Sequence, residues 1–181
     1  MKNITILSLA LFFVASSCSK EEVEPNDDNE LITTVKLSFK SPTGIIKSFY
    51  WRDKQGDGVM DSVDPILLDK NSTYEMSIAL LDETKNPVFD ISEEIKEEAD
   101  VHLFIYKATP SGLMSVQIKD LDKNGIPIGL LADIRSQYVA GNGNFQVILK
   151  HQPPVNGKAV KTGAEEGGST DVDVRFPITI Q

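Results

Sequence analysis

The sequence predicts an all-β body, an antiparallel β-sandwich of about eight or nine strands with one short acidic helix. Three observations carry this. Apolar residues recur with period two through most of the chain after Leu31. Clusters of Gly, Pro, Asn, Asp and Ser punctuate the runs at the spacing of short strands. Only residues 90–100 switch to a helical period.

The elements follow in order. In TTVKLSFK, Val35, Leu37 and Phe39 fall on one face, against Thr34, Lys36, Ser38 and Lys40. The turn Ser41–Gly44 leads into GIIKSFYW, a second strand. The Asp- and Gly-rich stretch WRDKQGDGVMDSVDP follows. STYEMSIALLDE then aligns Tyr74, Met76, Ile78 and Leu80. DISEEIKEEAD, Asp90 to Asp100, predicts a short helix with Asp90 as N-cap and Glu93 completing a capping box. VHLFIYKA is apolar on both faces, as expected of a central strand. Turns at Thr109–Gly112, Asp122–Gly125 and Gly141–Asn144 separate the later runs. FQVILKHQ aligns Phe145, Val147 and Leu149; DVDVRFPITI aligns Val172, Val174, Phe176, Ile178 and Ile180. Pro177 cannot donate to a ladder, so the last strand is expected at an edge or bulged. Between these two runs, Gln152–Thr170 is a long polar loop expected to fold back over the domain.

The chain has 181 residues, enough for one domain with its own core. Its hydrophobic fraction of 40% is that of a globular protein. A formal charge of -9 repels phosphate backbones and argues against nucleic-acid partners.

The first residues speak to compartment. Lys2 precedes the apolar run Ile4–Ala15, which has the length of a signal-peptide core and is short for a membrane span. Ala15, Ser16 and Ser17 lead to Cys18, the only cysteine, which therefore has no internal disulfide partner. In the following Ser19–Glu30, six of twelve residues are acidic, and such a segment cannot bury enough apolar area to fold. The division is thus a leader (1–17), Cys18 with an acidic tether (18–30), and a β-sandwich domain (31–181).

Several motifs bear on ligands. Counted from Asp53, a twelve-residue stretch puts Asp53, Gln55, Asp57, Val59, Asp61 and Asp64 at the first, third, fifth, seventh, ninth and twelfth positions, with Gly58 sixth. Calcium loops take oxygens from these positions and bend at the sixth. The plain alternative is a turn in which Asp and Gly serve only backbone geometry. Tyr50 and Trp51 stand beside this stretch, where aromatics either stack on a ligand or close the core. His102 and His151 lie at strand ends near acidic residues; imidazoles with carboxylates can hold a transition metal, and a strand-end His can equally bond to backbone. The sequence contains no Gly-rich phosphate loop, no His-x-x-x-His pair and no nucleophile elbow, so a non-catalytic protein is expected.

The small-small-Cys pattern ending at Cys18 resembles a bacterial lipobox, and Ser19-Lys20-Glu21-Glu22 resembles the export signal of surface lipoproteins in the Bacteroidota. With the β body, the chain resembles small surface lipoproteins of that phylum. The resemblance implies lipid on Cys18 and an outer-membrane address facing the cell surface (the periplasm being the alternative); the strand pattern itself predicts that the sandwich is immunoglobulin-like. Asp61-Ser62-Val63 resembles the acceptor pattern for O-linked glycans there, with Ser62 as acceptor. The expected function is a ligand-binding or accessory module for an outer-membrane nutrient-uptake system, with an outer-membrane receptor as partner. The alternative is a calcium-stabilised structural or adhesive domain. A capture protein should carry a partly apolar pocket, expected beside Tyr50 and Trp51 or under the Gln152–Thr170 loop.

Overall fold

A computed structural model describes residues 31–181. The leader, Cys18 and the tether lie outside the described residues. The elements are β1 (Thr34–Lys40), β2 (Ile46–Arg52), β3 (Ser62–Val63), β4 (Ile66–Leu68), β5 (Thr73–Asp82), β6 (Phe89–Asp90), α1 (Ser92–Glu97), β7 (His102–Thr109), β8 (Met114–Ile118), β9 (Leu131–Ser136), β10 (Gly141–His151) and β11 (Ser169–Ile180).

They form an all-β sandwich. One sheet runs β3-β2-β1-β5-β9-β8, with β6 added at the far end of β5; the other runs β4-β11-β10-β7. The period-two runs pack between the sheets. Val35, Leu37, Phe39, Met76, Leu80, Ile134, Phe145, Val147, Phe176 and Ile178 are buried in one core. Each such side chain contributes about 1.5–3 kcal/mol on burial. Phe39 anchors an aromatic corner, edge-on to Phe49 at 5.8 Å and to Tyr74 at 6.3 Å. Among the described residues, no helix is long and apolar enough to cross a membrane.

Four features depart from the expected arrangement. Among the described residues the strands number eleven, because three of them are only two or three residues long. One pairing is parallel, β4 on β11 over Ile178–Ile180. Pro177 sits one residue before that short contact, so the remainder of β11 is an edge, as its missing donor requires; the bulge is in β10, between Leu149 and Lys150.

The run VHLFIYKA is an edge strand, not a central one: β7 pairs only with β10. It is apolar on both faces because irregular chain covers it. The Phe104 amide donates to the Ile128 carbonyl at 2.7 Å, and the Tyr106 hydroxyl donates to Gly129 O at 2.6 Å. Gly129 permits this approach: its φ is 101°, and a Cβ there would stand 2.6 Å from Phe104 Cβ.

The helix starts later than expected. Its N-cap position is Ile91, without a side-chain cap. Asp90 lies in β6, and its carboxylate accepts the Ser92 amide at 3.0 Å. Ser92 in turn accepts the Leu80 amide at 2.7 Å, so the capping-box residues are replaced by a link between helix and β5.

The 152–168 segment folds back over the domain. The Gln152 amide group donates to Ala164 O and Glu166 O, while Lys161 reaches inward to Asp122 and Ala99 O.

Candidate functional site

A groove of about 640 Å3 lies between α1 and the 119–131 segment. That size is in the range of small-ligand sites. Ile91 and Ile95 are buried and fix α1 against the core, which turns Glu93, Lys96 and Glu97 outward over the groove. Ile78 and Ala79 of β5, with Ile128 and Leu130, supply an apolar floor. Leu121 and Leu131 form an exposed apolar lip.

The opposite wall is irregular chain ordered by two carboxylates. Asp120 accepts the amides of Gly129, Leu130 and Leu131 at 2.9–3.1 Å. Asp122 accepts the amides of Asn124 and Ile126 and the Lys161 ammonium. Burial pushes the Asp122 carboxyl up, but the Ile126 amide, Lys161 and the Asn124 amide outweigh it and hold it below its ordinary value. One end of the groove is clasped by Lys123 and Asp100, 2.6 Å apart. Hydrogen bonding from Lys123 keeps the Asp100 carboxyl below its usual range.

The lining carries six carboxylates (Asp90, Glu93, Glu97, Asp100, Asp120 and Asp122) against two lysines, Lys96 and Lys123. An apolar floor under an acidic rim favours a ligand that is cationic and partly apolar. Sequence reasoning missed this groove. The available signal was the apolar run Ile126–Leu131, which follows a turn and shows no strand period.

The expected aromatic edge does not line the groove. The Arg52 guanidinium covers the Tyr50 ring at 4.2 Å, and Trp51 packs against the core. Nor does the 152–168 segment line it; that segment supports the wall from behind through Lys161.

In the Asp53–Asp64 stretch, the carboxylates serve backbone amides. Asp53 is buried; its Oδ1 accepts from Gly56 and Asp57, and its Oδ2 accepts from Gly58 at 2.7 Å. Asp57 accepts the Val59 amide, Asp61 the Lys54 amide, and Asp64 the Tyr50 amide. The Gln55 side-chain amide faces Asp61. Val59 is exposed. Ser62 is exposed on β3, opposite Arg52.

The two histidines, far apart in the chain, are direct cross-strand partners on β7 and β10. Their rings stack with centroids 4.8 Å apart and planes 15° from parallel. Glu98 joins them from the end of α1. His102 is buried, and its Nδ1 lies 3.2 Å from the Glu98 carbonyl. Burial, then the neighbouring His151, lowers the His102 pKa from its ordinary value.

No family model, curated protein or solved structure matches the chain.

Proposed function

We propose that the protein is a lipid-anchored, non-catalytic binding module at the outer-membrane surface, serving an outer-membrane uptake receptor. The groove between α1 and the 119–131 segment holds its ligand, a cationic and partly apolar oligopeptide. The observation that carries this reading is the union of an apolar floor with the exposed carboxylates of Asp90, Glu93 and Glu97 in one concavity of about 640 Å3. Lipid attachment rests on the pattern around Cys18 and the receptor partnership on the resemblance of the leader and tether.

The test is calorimetric titration of the full chain, held in detergent, with a short peptide of alternating Lys and Leu. The charge reversals Glu93→Lys and Glu97→Lys sit on the exposed side of α1 and spare the core. Together they should weaken binding roughly tenfold or more, about 1.4 kcal/mol. Equal affinity for the parent and the doubly reversed protein would remove the groove from the account.

A second reading, a calcium-stabilised structural or adhesive domain, has one observation in its favour. Gly58, sixth in the Asp53–Asp64 loop, has φ 82°, the left-handed bend that a calcium loop needs there. Against it, both oxygens of Asp53 are engaged by amides. Melting with calcium and then with chelator separates the two. A rise in Tm that the chelator reverses supports calcium, and an unchanged Tm supports a turn held by its own amides.

A further inference from the structure

We propose that Glu98, His102 and His151 form a binding site for a divalent transition-metal ion of the zinc class, separate from the groove. One potential ligand atom from each residue lies within 4.8 Å of those from the other two. Two imidazole nitrogens and one carboxylate oxygen are a donor set suited to zinc, and they leave a fourth tetrahedral position for water or a ligand from outside.

The fold assembles this set from three places. His102 opens β7 and His151 closes β10, and the antiparallel register sets them directly opposite. The turn after α1 brings Glu98 to the same end, four residues before His102. The two strands pair continuously from Asn144 opposite Thr109 to His151 opposite His102, so the register fixes the cross-strand pair.

The hydrogen bonding favours a ligand role. A carbonyl can only accept, so the contact from His102 Nδ1 to Glu98 O places the ring proton on Nδ1 and leaves the lone pair on Nε2. Metal-binding histidines commonly hold their second nitrogen in this way. The potential ligand atoms of the three residues lie within 4.8 Å of one another, and the Glu98 side chain is 63% exposed. Tetrahedral zinc needs donors about 3.3 Å apart, from bond lengths of about 2.0–2.1 Å. Reaching that spacing requires rotation of the exposed Glu98 side chain and a tilt of the less buried His151 ring. Asp171, whose charge is felt at His102, adds to the negative potential there.

The test uses the full chain in detergent and zinc chloride as the probe. Calorimetry should show one equivalent of Zn2+ bound with micromolar or tighter affinity, and Tm should rise with Zn2+. Glu98→Gln, at an exposed position, should weaken binding roughly tenfold or more, and His151→Gln should abolish both the binding and the Tm rise. Cobalt(II) should give the intense visible bands of a tetrahedral site, lost in His151→Gln. Zinc affinity unchanged in both variants would overturn the proposal, as would the absence of a one-equivalent site in the parent. His102→Gln is not needed, so a folding defect at that buried position leaves the result readable.

Discussion

Lys161 Nζ lies 3.0 Å from Asp122 Oδ2, and neither side chain is more than 1% exposed. The pair pins the 152–168 segment to the groove wall, and Lys161 also donates to Ala99 O beside the end of α1. Removing one partner of such a pair leaves an uncompensated buried charge. Lys161→Met should therefore cost about 3–5 kcal/mol in denaturant unfolding. The double variant with Asp122→Asn should recover most of that loss, because asparagine still offers an oxygen to the Asn124 and Ile126 amides.

The same carboxylate sets an acid limit. The Asp122 pKa is lower in the folded protein than in the unfolded chain. Its stabilisation is therefore complete above the unfolded value of about 3.9 and is lost as pH falls through the folded value. Unfolding free energy should be flat in this contribution from pH 7 to 5 and should fall below about pH 4. Asp122→Asn should make that fall shallower, as read by denaturant titrations at each pH.

Asp53 organises its loop through three amides, and its neighbours through one each. Asp53→Ala should cost about 1.5–3 kcal/mol, the range for hydrogen bonds to a charged group. Asp57→Ala, at an exposed position with a single acceptor bond, should cost about 0.5 kcal/mol. Chemical denaturation of the two variants side by side checks the ordering. Equal costs would mean that Asp53 does not hold the turn.

Binding in the groove should be salt-sensitive. The rim charges on α1 are exposed, so raising salt from about 0.05 to 0.5 M should weaken the cationic peptide several-fold. The apolar floor should retain a residual affinity. Replacing Leu121 by Asp should reduce that residual at high salt, where the rim contributes least.

Much of the fold was legible because period two reports burial directly. Val35, Leu37, Phe39, Tyr74, Met76, Ile78 and Leu80 were assigned inward by spacing alone, and all are buried. The place of β7 was not legible. Its two apolar faces look like those of a central strand, yet the second face is covered by the 119–131 segment, which has no periodic signal. The helix start moved because Asp90 bonds to Ser92 from within a strand, a local choice that composition does not decide. His102 and His151 stood out as residues, but their pairing depends on the register between two strands distant in the chain, which only the assembled sheet supplies. The groove escaped for a similar reason: its floor draws on β5, while its walls are a six-residue helix and irregular chain.

A cationic ligand in the acid-rimmed groove beside α1 must touch residues of β5, α1 and the 119–131 segment. Amide chemical shifts of the isotope-labelled protein, followed during titration with the Lys–Leu peptide and with its Glu–Leu counterpart, test it most directly. Shifts should concentrate at Ile78, Leu121, Leu130 and α1 with the Lys–Leu peptide and be absent with the Glu–Leu peptide. Shifts centred on Tyr50 and Trp51, or equal responses to both peptides, would contradict it.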